Sequence, residues 1–285
     1  MKKLNSSFRK TLLASLVVPF ALGAQLASAG ALVTTWDFAV DSELKNWTAT
    51  DGTGSITPSA GAAPNVGTNK LSWGTGTGPQ SSIEIGDVAK TNTSPLMTNM
   101  GYVNGGVFTH TNNVLPAAGL ALASFNLTSD LTLTPTNPAG PDQGPVSINF
   151  NSFFSETGNS TPCVAGAATV CDDIFTITNF SDLGAVDNGD GTFDFVSSFL
   201  YDDYKYTVFL QLADLTTLND DACTEAAGEF ATGCVGLLTE EGGTNNFQTR
   251  FRIEGVAVPE PGTLALLGLG LAGLSMSRRK SAAKS

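Results

Sequence analysis

Between Val33 and Ile253 the recurring pattern is alternation of apolar and polar residues, and no sustained helical period appears. That alternation constrains the fold more than any other feature. Successive side chains of a strand point to opposite faces, whereas a helix repeats about every 3.6 residues. In Val33-Thr34-Thr35-Trp36-Asp37-Phe38-Ala39-Val40, one face carries Trp36, Phe38 and Val40. Short strands are expected at Leu71-Ser72-Trp73-Gly74, Ser82-Ile83-Glu84-Ile85 and Gly106-Val107-Phe108-Thr109, with two more between Leu120 and Thr134, broken near Thr128 to Asp130. Val146, Ile148 and Phe150 alternate, as do Phe175 and Ile177, and then Phe193, Phe195 and Phe199. Tyr204, Tyr206, Val208, Leu210 and Leu212 form the longest alternating stretch. Phe247, Thr249, Phe251 and Ile253 close the series, with Arg250 and Arg252 facing outward. About ten strands separated by Gly, Pro, Asn and Ser turns imply an all-β antiparallel β-sandwich of jelly-roll or lectin-like type. Only Asp221 to Thr232 is suited to a turn or two of helix, and Gly228 weakens it. The Gly- and Pro-rich stretch Pro135 to Pro145 is a candidate linker, but the strands on both sides read as halves of one sandwich. Residues 30–257 are therefore expected to form a single domain.

Both ends read as processing devices. Lys2, Lys3, Arg9 and Lys10 precede the apolar stretch Thr11 to Ala24 and then Ala27-Ser28-Ala29. A basic start, an apolar middle and a small-x-small site make residues 1–29 a signal peptide, cut by signal peptidase after Ala29. At the other end, Val258-Pro259-Glu260-Pro261-Gly262 leads into an apolar run from Thr263 to Met276, followed by Arg278-Arg279-Lys280. Pro259 and Pro261 lack a backbone donor and fix φ, so the motif is presented extended. The apolar run falls short of the roughly twenty residues of a permanent span, and suits a short hydrophobic helix with transient membrane association. The basic residues hold its end on the cytoplasmic side.

In motif and order of parts, residues 258–285 resemble the PEP-CTERM sorting signal of Gram-negative bacteria. The resemblance implies that a membrane protease-transpeptidase, an exosortase, recognises Val258, Pro259, Glu260 and Pro261 and removes the tail. The protein then passes to the cell surface or extracellular matrix. A plain C-terminal membrane anchor is the alternative reading.

The charge of the whole chain, −12, hides that of its middle. Eight of the 14 Lys and Arg lie outside residues 30–257, against one of the 26 Asp and Glu, so six bases face 25 acids, a formal −19. Such a surface repels nucleic acid and anionic membranes and favours cations, so no nucleic-acid partner is expected. Four cysteines in an exported chain favour disulfides. The local pairs Cys163–Cys171 and Cys223–Cys234 are the favoured connectivity, each closing a loop among Gly, Pro and Thr. A zinc site is the alternative, but the spacings are wide and the one histidine is distant in sequence.

That histidine lies in Phe108-Thr109-His110-Thr111-Asn112-Asn113-Val114-Leu115-Pro116. Together with Leu71-Ser72-Trp73-Gly74, the segment from Cys163 through Cys171-Asp172-Asp173-Ile174-Phe175, and Thr239-Glu240, it resembles the THxN family of PEP-CTERM proteins. The family's motif falls on Thr109, His110 and Asn112. The resemblance supplies a class and no mechanism. His110 has the chemistry of a general base or metal ligand. The structural reading makes it a strand-to-loop corner, with the Thr hydroxyls and the Asn112 amide satisfying turn backbone and the imidazole bonded across it. No Gly-x-Ser-x-Gly elbow accompanies it, so no catalytic residue is assigned and the domain is expected not to be an enzyme.

Asp187-Asn188-Gly189-Asp190-Gly191-Thr192-Phe193-Asp194 reads first as a hairpin turn. Calcium held by Asp187, Asp190 and Asp194 is the alternative, without the terminal Glu of an EF-hand. No metal or other cofactor is assigned. The pairs Asp172-Asp173, Asp202-Asp203 and Asp220-Asp221 read as solvated loop charges. Trp36, Trp47, Trp73, Tyr201, Tyr204 and Tyr206 read as core before they read as a sugar-stacking platform. The expectation is an exported surface or matrix protein with a non-catalytic structural or interaction role in exopolysaccharide or biofilm. A carbohydrate-binding module, assisted by calcium, is the alternative.

Overall fold

Alternation becomes strand pairing in the computed structural model of the chain, which describes residues 30–158, 162–164, 171–190, 192–212, 214–228, 233–258 and 268–270. Contacts divide the chain into Met1–Ala31 and Leu32–Ser285. The leader expected over residues 1–29 lies outside the described residues.

The strands are β1 (Thr35–Ala49), β2 (Thr57–Ser59), β3 (Lys70–Trp73), β4 (Ser81–Ile85), β5 (Val88–Met97), β6 (Val103–Thr111), β7 (Leu122–Asn137) and β8 (Gln143–Ser155). They continue with β9 (Asp173–Ile177), β10 (Val186–Asp187), β11 (Phe193–Tyr201), β12 (Tyr204–Leu212) and β13 (Thr216–Thr217). Helix α1 (Asp220–Ala227) precedes β14 (Val235–Thr239) and β15 (Thr244–Ala257). One sheet runs β13-β14-β9-β8-β7-β1-β5 and the other β10-β11-β12-β15-β6-β4-β3-β2. All neighbours within both sheets are antiparallel.

The sheets pack as a sandwich through aromatic side chains that meet between them. Phe38 of β1 lies 6.0 Å from Phe251 of β15, Phe108 of β6 lies 5.1 Å from Phe175 of β9, and Phe150 of β8 meets Phe195 of β11 edge-on at 4.9 Å. Trp36 of β1 is fully buried, 4.9 Å from Tyr206 of β12 and 5.9 Å from Phe199 of β11. Its indole Nε1 donates to Thr98 Oγ1 at 2.9 Å, so a large apolar ring is buried with its polar atom satisfied.

Several strands depart from the sequence reading. The stretch from Leu120 to Thr134 holds one strand, not two: β7 runs unbroken through Thr128, Ser129 and Asp130 and is longer than β12. It is held on both sides, Asp130 pairing with Asp41 of β1 and with Ser147 of β8. Pro135 to Pro145 is no linker, because β7 and β8 pair directly across it. Strand β5 has no clear alternation and contains Pro95; it lies at the edge of its sheet, where a missing donor costs little. Strands β9 and β14 are buried on both faces, which erases the period of two in Val235–Thr239.

The second cover on β9 comes from α1. Asn219 caps this helix, its Oδ1 accepting from Ala222 N at 2.7 Å, and Gly228 ends it at φ +92°. Ala222 and Cys223 pack with Ile174 of β9, Leu218 and Cys234 in a small cluster outside the main core. The disulfide Cys223–Cys234 ties α1 to the start of β14, and Cys163–Cys171 clips the connection between β8 and β9.

Trp36→Ala is expected to lose about 3–5 kcal/mol in denaturant unfolding, because it leaves a large void between the sheets. Replacing Cys223 and Cys234 by Ala is expected to lose about 2–3 kcal/mol, the loop-closure entropy of an eleven-residue separation, measured by the same method.

Candidate functional site

Antiparallel register brings three acids to one end of the first sheet. Ser155, the last residue of β8, pairs with Ile174, and Thr239, the last of β14, pairs with Asp173 at the start of β9. Glu156 follows the end of β8 directly, and Glu241 lies two residues beyond the end of β14. A carboxylate oxygen from each of Glu156, Asp173 and Glu241 lies within 4.8 Å of those of the other two. Asp173 is fully buried, while Glu156 and Glu241 are half-buried. Asp173 Oδ1 accepts from the Thr157 backbone N–H at 2.9 Å, and Oδ2 is buried with no hydrogen-bond partner. Glu156 Oε2 accepts from Trp73 Nε1 at 3.0 Å, and Oε1 likewise is buried without a partner.

The opposite sheet supplies the adjoining wall. Trp73 ends β3, and its ring stacks on His110 of β6 at 5.8 Å with planes 14° apart. Phe154 packs edge-on against both rings, 5.0 Å from the imidazole and 5.1 Å from the indole. His110 is 1% exposed, and its Nδ1 lies 2.9 Å from Thr239 Oγ1. The Thr239 hydroxyl donates to Asp173 O at 3.3 Å. A hydroxyl has one proton to give, so His110 Nδ1 is the donor and Nε2 carries the lone pair. Burial pushes the His110 pKa down to about 3, which keeps the ring neutral. Asn112 is also fully buried; its Nδ2 donates to Thr239 O at 3.3 Å and its backbone N to Gly243 O at 2.9 Å. Thr109 Oγ1 donates to Asn246 Oδ1 at 2.9 Å. Thr109, His110 and Asn112 thus fasten β6 to β14, β15 and the loop joining them. Thr109 and His110 lie within the strand, not at a corner, and only Asn112 is beyond its end.

Burial, with the crowding of like charges added to it, raises the pKa values of Glu156 and Asp173. Burial is the largest cause for Glu156, raised to about 7, with the hydrogen bond from Trp73 opposing it and the Glu241 charge adding to it. Burial also dominates for Asp173, raised to about 9, followed by the charge of Glu156; the Thr157 N–H opposes both. Neither acid forms a salt bridge among the described residues. Such a group of oxygens can share protons or hold a cation.

Nothing in the sequence singles out Glu156 or Glu241, and the solvated loop charge expected at Asp173 is instead a buried acid. One signal was available: Asp173, Phe175 and Ile177 alternate in phase, which places the acid on the core-facing side. Asp187, Asp190 and Asp194 are not gathered as a ligand set. Asp187 Oδ1 accepts from Gly189 N and Asp190 Oδ1 from Thr192 N, as hairpin turns do, while Asp194 turns to Tyr102 at 2.6 Å and to Arg252. Asp202 and Asp203 form the tight turn between β11 and β12, and Asp220 and Asp221 the first turn of α1. Trp36, Trp73 and Tyr206 are closed from solvent, leaving Trp47, Tyr201 and Tyr204 partly exposed.

Val258 is exposed, and its backbone N donates to Asp203 O at 2.7 Å where β15 ends. Pro259, Glu260 and Pro261 lie outside the described residues; within the apolar run, residues 268–270 are helical. No helix of the described residues is long and apolar enough to cross a membrane. Residues 257–280 match the PEP-CTERM protein-sorting motif. The motif implies an exported protein processed by exosortase, and together with the two disulfides it suggests a place at the cell surface. A search of curated proteins finds no match to the chain.

The two buried systems have opposite pH signatures. A carboxyl group with a raised folded pKa contributes stability that is fully present below its unfolded value and is lost as pH rises through the folded value. In metal-free buffer the melting temperature is therefore expected to fall between about pH 5 and about pH 9, and Asp173→Asn to flatten that slope. His110 is depressed from 6.5 to about 3, so its contribution is present above 6.5 and is lost as pH falls toward 3. Thermal melts across this range, for the wild type and Asp173→Asn, check both limbs.

Proposed function

We propose that the mature sandwich is a non-catalytic structural or interaction component of an exopolysaccharide or biofilm matrix, delivered there by exosortase. The observation that carries the reading is the sorting motif over residues 257–280. It fits a layout of signal peptide (1–29), one sandwich domain (30–257) and a removable tail (258–285). Membership of the THxN family, through Thr109, His110 and Asn112, belongs to the same reading. The burial of His110 supports a non-catalytic role: the ring is neutral, stacked on Trp73 and tied to Thr239, a positioning duty between sheets. Exopolysaccharide is the partner this reading names, and nucleic acid is disfavoured by six bases against 25 acids over residues 30–257.

Mass spectrometry of the protein recovered from the exported fraction should show a chain beginning at Gly30 and lacking the apolar tail. A chain still ending at Ser285 would sink the sorting proposal. Deletion of the gene should weaken matrix cohesion, whereas sugar turnover by the purified protein would overturn the non-catalytic role.

A further inference from the structure

We infer that Glu156, Asp173 and Glu241 form a calcium site at the end of the sandwich, tying together the ends of β8, β9 and β14. The inference stands apart from how the chain is delivered. It rests first on geometry. Three carboxylates from well-separated parts of the sequence converge to within 4.8 Å of one another, held by the register of adjacent strands. Calcium–oxygen distances of about 2.3–2.6 Å accommodate oxygens spaced this way around one ion.

The second observation is the state of the Asp173 carboxylate. It is 0% exposed, and its Oδ2 has no hydrogen-bond partner, as does the buried Oε1 of Glu156. An unpaired buried carboxylate oxygen is among the most expensive groups a fold can carry, and native interiors pair such groups with a donor or a metal. No Lys or Arg of the described residues forms a salt bridge with Glu156 or Asp173. The raised pKa values of Glu156 and Asp173 reflect burial first and the neighbouring like charges second.

The donor set selects the ion. All three side chains offer hard oxygens, and the described residues include no free thiol. The nearby imidazole is not one of the clustered ligand groups. Oxygen-only donors favour calcium or magnesium over zinc or copper. Three protein carboxylates at one point favour calcium, because magnesium sheds its water reluctantly and seldom takes an all-protein cage. Asp173 is fully buried, while Glu156 and Glu241 are half-buried residues at the end of the sandwich.

The geometry also offers a probe. Trp73 donates to the Glu156 carboxylate at 3.0 Å, close enough to sensitise terbium(III) bound as a calcium substitute. Calcium at a hundred times its dissociation constant should raise the melting temperature of the exported protein by about 5–10 °C. Indole-sensitised terbium emission should appear and be displaced by calcium. Both responses should be lost in Asp173→Asn, and at least tenfold weaker in Glu156→Gln. The latter alters a half-buried residue and remains informative if the former fails to fold. A wild type that neither melts higher with calcium nor sensitises terbium would overturn the site. So would responses that persist unchanged in the folded variants, which would put the ion elsewhere. A melting temperature that answers to pH but not to calcium would show that the three acids share protons instead.

Discussion

Everything else in this fold depends on the burial of two apolar sheet faces against each other. Trp36, Phe38, Phe108, Phe150, Phe195 and Phe251 each meet an aromatic partner from the opposite sheet, and their rings lie in edge-on or tilted arrangements. A buried aromatic of this size removes about 150–250 Å² from water. That driving force orders long strands such as β7, whose own centre, Thr128-Ser129-Asp130, has little apolar character. The two disulfides work at the margins of this core. One anchors the short helix that covers β9, and the other shortens the excursion between β8 and β9.

At one end the same core is interrupted by polar groups. Trp73 and His110 reach from the second sheet to Glu156 and Thr239 on the first, so the sheets are joined there by directional bonds as well as by packing. Those bonds leave several buried oxygens unsatisfied, which would not persist in an ordinary hydrophobic core. The Thr109, His110 and Asn112 motif supports this region from behind. Its side chains hold the strands whose ends carry the acids, and none of them is a member of the carboxylate cluster.

Much of the architecture was legible from periodicity. The strands around Trp36, Phe108, Phe150, Phe195, Val208 and Phe251 lie where alternation puts them, because each has one face in the core and one toward water. Strands β5 and β14 were not legible. Edge position in β5 relaxes the demand for a buried face, and double burial in β14 removes the polar one. The carboxylate site was nearly invisible for a different reason. Glu156, Asp173 and Glu241 share no local motif, and only the phase of Asp173 with Phe175 and Ile177 hinted at an inward acid.

By itself the sequence determined what depends on neighbours along the chain. Strand character follows from alternation, the cysteine pairs from short loops, and the sorting signal from a contiguous tail read as a linear peptide. Tertiary structure decided which strands lie side by side, and so which strand ends meet. A one-residue change of register would turn Asp173 to the opposite face of β9, the one covered by α1, and disperse the acids. Convergence of distant charges depends on the pairing of whole strands, and that pairing is selected by core burial across the sandwich.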